Sequence, residues 1–273
     1  MKIYILSVII ILLIPAKPLN AQPACDTTIF ETAVTLSTDN KLEEAIKEYS
    51  KLIKQCPQFT TAYLNCGVIY SLVDQPAKAF EDFAQSIAVA KNKFTIAQSI
   101  ADFYFGAESY DTAYTYYKIA STFKPDKAMP YFKMGRCKWL GRIPVLLEKY
   151  NGDYTKDPIY KSHLKDVILQ LFTKAIELDS TSNYEYFYYR GFFYTNFEIY
   201  KEGLADFEKS IEIHPVIKAY EYAAVLSKKT GMKDKACKYI TQWSTMVNPA
   251  EKMNVFQKKE YAQNFCKELG ITQ

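Results

Sequence analysis

The sequence predicts an all-α fold, a solenoid of repeated helix pairs, on three observations. Apolar residues recur at helical spacing along most of the chain, and strict apolar–polar alternation is scarce. Only 9 glycines and 11 prolines punctuate 273 residues, few for a chain built from short strands and tight turns. The chain also repeats itself every 34 positions, and a fixed period of about 20–50 residues sets the architecture.

The first element is residues 1–21. Lys2 precedes an apolar run over 3–14 broken only by Ser7, followed by Pro15 and a short stretch ending at Ala21. A spanning helix needs about 20 apolar residues, so the run is short for one, and Ala21 is the small residue that a signal peptidase accepts. The expectation is a secretory signal peptide cleaved after Ala21 and a product that is periplasmic or secreted. An uncleaved N-terminal membrane anchor is the alternative. Ahead of Cys25, Gln22 and Pro23 occupy the places of the aliphatic and small residues of a lipobox, which argues against a lipoprotein. Residues 1–21 carry Lys2, Lys17 and no acidic residue, so without them the formal charge falls from +4 to +2. That balance does not point to nucleic acid, and the densest basic stretch, Lys228, Lys229, Lys233 and Lys235, reads as one solvated helix end.

The repeats come next. A small residue recurs at Ala33, Gly67, Ala101 and Gly135, each 34 positions after the last, and then at Gly191 and Ala224. A second small residue keeps the beat at Ala45, Ala79, Ala113, Gly203 and Ala236, accompanied by a large residue at Tyr49, Phe83, Tyr117, Phe172 and Phe207. A proline closes the second helix at Pro57, Pro125, Pro215 and, one place late, Pro249, while Lys91 and Ser180 replace it elsewhere. Small residues where two helices cross, an aromatic between them and a helix breaker before the next unit resemble the tetratricopeptide repeat (TPR). Segments 202–215 (EGLADFEKSIEIHP) and 172–179 (FTKAIELD) carry the likeness most fully.

The resemblance implies a right-handed superhelical solenoid of about six helix pairs, each with a helix A and a helix B. The expected repeats are 26–59, 60–93, 94–127, 128–183, 184–216 and 217–250, with a capping helix over 251–269. Together they make residues 22–273 a single solenoid in which each unit buries its apolar face against its neighbours. Gly135 to Gly191 spans 56 positions rather than one period, which places an insertion at about 141–166. Pro144, Pro158 and an Asn151-Gly152-Asp153 turn mark it as a lengthened loop before helix B. It is either a tolerated surface loop or an element that touches a partner.

Six cysteines in an exported chain invite disulfides. In the implied solenoid, Cys25 before helix A and Cys56 at the end of helix B of the first unit meet by antiparallel packing. Cys237 and Cys266 meet similarly between the last helix B and the cap. Cys66 and Cys137 are expected to be buried singly.

Chemistry is thinly represented. There are two histidines, His163 near the insertion and His214 beside a helix-ending proline, with no CxxC and no HExxH. Neither a P-loop, a GxGxxG nor a GxSxG elbow occurs. The expectation is therefore no catalytic residue, no metal and no cofactor.

In the family that the chain resembles, certain positions of each helix A line the inner face. Carried over, these are Phe30 and Val34, then Leu64 and Val68, then Gln98, Asp102 and Phe105, then Phe132, Arg136 and Trp139, and finally Tyr188, Phe192 and Asn196. Members that clamp a terminal carboxylate use a Lys and two Asn early in the groove, where this chain has apolar residues, so chaperone-tail binding is not expected. The candidate partner-binding residues are Asp102, Phe105, Phe132, Arg136, Trp139, Tyr188 and Phe192, aromatic anchors with a charge on either side. With 23 Tyr and 17 Phe in the chain, several of these aromatics could equally pack between adjacent A helices. The reading is a protein–protein interaction scaffold in a cell envelope, with a soluble binder of a peptide or glycan as the alternative. The Ala21–Gln22 junction after a short signal, the two histidines and the richness in Tyr, Lys and Ile suggest a Gram-negative, Bacteroidetes-like source as an expectation.

Overall fold

The computed structural model describes residues 25–142, 148–149, 151, 153, 157–158, 164–247 and 253–271. The expected signal peptide or membrane anchor over 1–21, His163, Pro249 and most of the 141–166 insertion lie outside the described residues. Among the described residues the fold is all-α, without a strand, and no helix is long and apolar enough to cross a membrane.

The chain divides into two compact units, one of residues up to 126 with 136–142, the other of 127–135 with those from 143 onward. The first holds the pairs α1 (Thr27–Thr38) with α2 (Leu42–Gln55), α3 (Thr60–Leu72) with α4 (Pro76–Val89), and α5 (Lys93–Gly106) with α6 (Tyr110–Phe123). Helix α7 (Ala128–Leu140) gives its last turn and a half to this unit and its start to the other. The second unit contains α8 (Lys165–Leu178), α9 (Tyr184–Asn196) paired with α10 (Tyr200–Ile213), and α11 (Ile217–Lys229) paired with α12 (Lys233–Thr245). Helix α13 (Val255–Glu268) closes it by packing on α12.

Helix ends follow local chemistry. Asp26, Asn92 and Asn183 cap α1, α5 and α9 by accepting from the backbone N–H of Thr28, Thr95 and Glu185, and Asn254 with Gln257 forms a reciprocal capping box at α13. The C-caps of α2, α6 and α10 are Cys56, Lys124 and His214, each directly before a proline and each driven out of the helical region by it. Where Ser180 stands instead of proline, the Asp179 carboxylate accepts from the N–H of Thr181 and Ser182 and from the Ser182 hydroxyl, a side-chain turn that stops α8. The turns between A and B helices share another feature. Asn40, Asp74, Glu108 and Glu198 adopt φ of 60°, 58°, 59° and 58°, and Gly231 takes 78° at the corresponding place. Left-handed backbone costs a non-glycine residue about 1–2 kcal/mol.

The periodic small residues explain the close pairing. Ala33, Ala45, Ala79, Ala101, Ala113, Ala224 and Ala236 are fully buried, as are Tyr49, Phe83, Tyr117, Phe172 and Phe207 beside them. At Gly67 a Cβ would lie 2.6 Å from two carbons of the Phe83 ring. That ring is held by Phe103, Tyr104 and Tyr116 at centroid distances of 6.3, 5.8 and 6.0 Å, so it cannot retreat. Gly67→Ala is therefore expected to destabilise by about 1–3 kcal/mol through overpacking, read as a lower urea midpoint at unchanged slope.

Both units carry a disulfide. Cys25 is bonded to Cys56, joining the start of α1 to the end of α2, with a Cα–Cα distance of 5.7 Å. Cys237 of α12 is bonded to Cys266 of α13, with a Cα–Cα distance of 5.0 Å. Cys66 and Cys137 are buried thiols outside these bonds. At the closing helix, Lys258 is buried, yet its Nζ donates to the Met246 carbonyl at 3.1 Å and lies 4.7 Å from the Trp243 ring centroid, so the charge ends α12 from within the core.

Candidate functional site

The candidate partner-binding residues fall into two groups, one in each unit. In the first unit α5 presents Asp102 and Phe105, and α7 presents Arg136 and Trp139. Asp102, Phe105 and Arg136 are partly exposed, while Trp139 is only 5% exposed and belongs to the core. The Arg136 guanidinium lies 5.0 Å from the Phe105 ring centroid, a cation–π contact that fixes the charge over an apolar face. The other edge of Phe105 meets Tyr110, at 5.5 Å between centroids. The Tyr117 hydroxyl donates to Asp102 at 2.5 Å. Burial, and then the neighbouring Asp102 charge, push the Tyr117 hydroxyl far above its ordinary value, so it remains a donor and orients the carboxylate. Also on α7, Lys138 sits 4.2 Å from the Tyr114 ring centroid, a charge on an aromatic seat that the repeat register did not single out.

In the second unit Phe132 is fully buried, with Phe172, Tyr186 and Tyr189 at 5.9, 5.0 and 5.5 Å from its ring centroid. It is a core residue. Tyr188 and Phe192 on α9 remain partly exposed. Tyr188 meets Phe207 edge-on at 5.7 Å, and Phe192 meets Tyr222 edge-on at 5.3 Å. Tyr222 itself stacks on Phe207 at 5.0 Å with the rings 10° from parallel. Tyr188, Phe192 and Tyr222 thus form a shelf whose floor is the fully buried Phe207. Burial pushes the hydroxyls of Tyr188 and Tyr222 up, that of Tyr188 to about 12, so the shelf offers neutral hydroxyl groups and ring faces at physiological pH. Tyr222 escaped the sequence reading because it stands one residue past Glu221, the place on α11 that corresponds to Tyr188. Val225, on the same side of α11 one turn later, is 39% exposed and extends the apolar surface.

His214, the C-cap of α10, lies against Tyr184 at 5.1 Å between ring centroids. Among the described residues no group of three or more His, Cys, Asp or Glu is placed to hold a metal ion. What the two groups offer chemically is contact: ring faces, a guanidinium and an oriented carboxylate.

Residues 39–73, helices α2 and α3 with their flanking turns, match the family model described as TPR repeat. Tetratricopeptide repeat protein 36 of Caenorhabditis elegans is 33% identical over 60 residues, 22% of this chain and 34% of the relative. The chain thus spans about a third of the length of that curated relative. Among solved structures, the C-terminal part of a TPR repeat-containing protein from Cytophaga hutchinsonii is similar at 18% identity and a TM-score of 0.48, over 88% of this chain and 95% of that one. PilF of Pseudomonas aeruginosa is similar at 13% identity and a TM-score of 0.49, over 86% and 95%. YrrB, described as a TPR protein with an unusual peptide-binding site, is similar at 20% identity and a TM-score of 0.44, over 73% and 90%. The match makes residues 39–73 similar to a TPR repeat.

Proposed function

We propose that the chain is a non-catalytic scaffold or adaptor of the cell envelope that holds another protein through the faces of its A helices. The observation that carries this reading is the partial exposure of aromatics grouped on the A helices. The aromatics between paired helices are fully buried, whereas Phe105, Tyr188, Phe192 and Tyr222 remain partly exposed. Partly exposed aromatics beside an oriented charge are the composition of protein contact surfaces. An exported location is supported by the two disulfides, which persist in oxidising compartments. The alternative, a soluble binder of a peptide or glycan, rests on the tyrosine shelf alone now that Trp139 belongs to the core.

The test is a cross-linked pull-down from the envelope fraction of the producing cell, with one double variant in each group: Phe105→Ala with Arg136→Glu, and Tyr188→Ala with Phe192→Ala. Variants at Phe132 or Trp139 would disturb the core and are avoided. One defined protein is expected to be recovered with the native chain and reduced about tenfold or more by a variant of unchanged thermal midpoint. An unchanged partner list for both variants would remove binding from the A-helix faces. Recovery of polysaccharide with no protein would favour the alternative.

A further inference from the structure

Helices α2, α3 and α4 of the first unit surround an open cavity of about 300 Å³. It lies apart from the groups described above and does not depend on their reading. Asp82 of α4 stands in it, half-buried, and among the described residues its carboxyl accepts no hydrogen bond and pairs with no cation. The α3 side of the cavity is Tyr63, Cys66 and Tyr70, and Ile53 of α2 adds an aliphatic wall. The charge of Asp82 is felt across the space. Burial first and Asp82 second raise the Tyr63 hydroxyl and the Cys66 thiol, and burial, Cys66 and then Asp82 raise the Tyr70 hydroxyl.

Two lysines also line the cavity, Lys54 of α2 and Lys78 of α4, but neither neutralises the carboxylate. The Lys78 ammonium rests instead 5.3 Å from the Tyr70 ring centroid. A partly desolvated carboxylate without a counter-charge gains more from a cation than one in water does, and aromatic faces add cation–π attraction. An aliphatic wall suits the methylenes of an alkyl stem. We propose that this cavity binds a primary ammonium on an unbranched stem, the chemistry of a partner's lysine side chain, with Asp82 receiving the charge and Tyr63 and Ile53 flanking the stem.

Burial, with Glu81 second, pushes the Asp82 carboxyl up to about 6. Binding requires its ionised form, so affinity is level above that value and falls as the pH drops through it, approaching about tenfold per unit. The charged and titratable groups around it are Lys54 on α2, Tyr63, Cys66 and Tyr70 on α3, and Lys78 and Glu81 on α4.

The experiment is an NMR titration of the full mature chain with Nα-acetyl-lysine amide, its uncharged counterpart Nα-acetyl-norleucine amide, and inorganic phosphate. The lysine probe is expected to shift the amides of residues 63, 66, 70 and 82, with the pH profile above, and the norleucine probe to leave them unmoved. Asp82→Asn, which removes no existing hydrogen bond, is expected to weaken the lysine probe about tenfold or more and to abolish the pH profile. Equal response to norleucine amide, affinity undiminished in Asp82→Asn, or a flat pH profile in the native chain would overturn the proposal. So would a response to phosphate at residues 54 and 78 with none to the lysine probe, which would make the cavity an anion site.

Discussion

Replacing Arg190 by alanine is expected to cost about 3–5 kcal/mol of folding stability, the penalty for stranding a buried charge. Arg190 of α9 grips Asp206 of α10 with two hydrogen bonds, Nε to Oδ2 and Nη2 to Oδ1, both 2.7 Å. Its remaining nitrogen, Nη1, donates to the Thr173 hydroxyl of α8 at 3.0 Å, so one guanidinium links three helices. Asp206 is only 4% exposed, and burial pushes its carboxyl above the ordinary value against the pull of Arg190. Without the arginine the carboxyl rises further. The folded variant then binds a proton more tightly than the unfolded chain does, so its stability falls as pH rises. The penalty should be small below about pH 4, where the carboxyl is protonated in both states, and grow toward neutrality. Urea unfolding of Arg190→Ala at pH 4 and pH 7 measures this. A companion variant, Arg190→Met with Asp206→Leu, should recover most of the loss. A loss below about 1 kcal/mol at pH 7 would mean that water reaches the pair.

Removing the Cys25–Cys56 bond by a double serine substitution is expected to cost about 3–4 kcal/mol in the chain-entropy description of a loop of this length. The bond spans 31 positions and ties α1 to α2 around a core of Ile29, Phe30, Ala33, Ala45, Tyr49 and Leu52. Because repeats couple through nearest neighbours, the loss should be local. Amide exchange should quicken across α1 and α2 while α10 and α11 keep their protection, since local opening reports each cooperative unit separately. Uniform acceleration along the chain would show that the first pair supports the whole. An unchanged exchange pattern would show that the apolar core of the pair suffices.

The helix pairs were legible in the sequence because close packing leaves a periodic trace. Gly67, facing Phe83, must be small wherever the pair repeats, and position 34 later it is Ala101, facing Tyr117. The stop signals were equally plain where proline supplies them, at Pro57, Pro125 and Pro215. Exposure of the A-helix aromatics was less legible, since it depends on what the next helix lays over them. Phe132 stands near the start of α7 and Phe105 in the last turn of α5, and nothing in either stretch announces that Tyr186 and Tyr189 cover the first, whereas Arg136 seats its charge on the second. The Arg190–Asp206 pair left no trace either. Two polar residues 16 positions apart on amphipathic helices look like solvated faces until the helices are docked. Lys258 hides in the same way, because a buried lysine is betrayed only by the carbonyl and the ring that receive it.

The left-handed turns at Asn40, Asp74, Glu108, Glu198 and Gly231 carry a further consequence. Asn40 and Asp74 are types that tolerate this backbone shape, Glu108 and Glu198 pay for it in full, and Gly231 adopts it freely. The same small imperfection thus recurs at the corners between paired helices. Exchange of Glu108 or Glu198 for glycine is therefore expected to raise stability, by about 0.5–1 kcal/mol each. Stability gained at these corners would offset costly changes on the faces of the A helices.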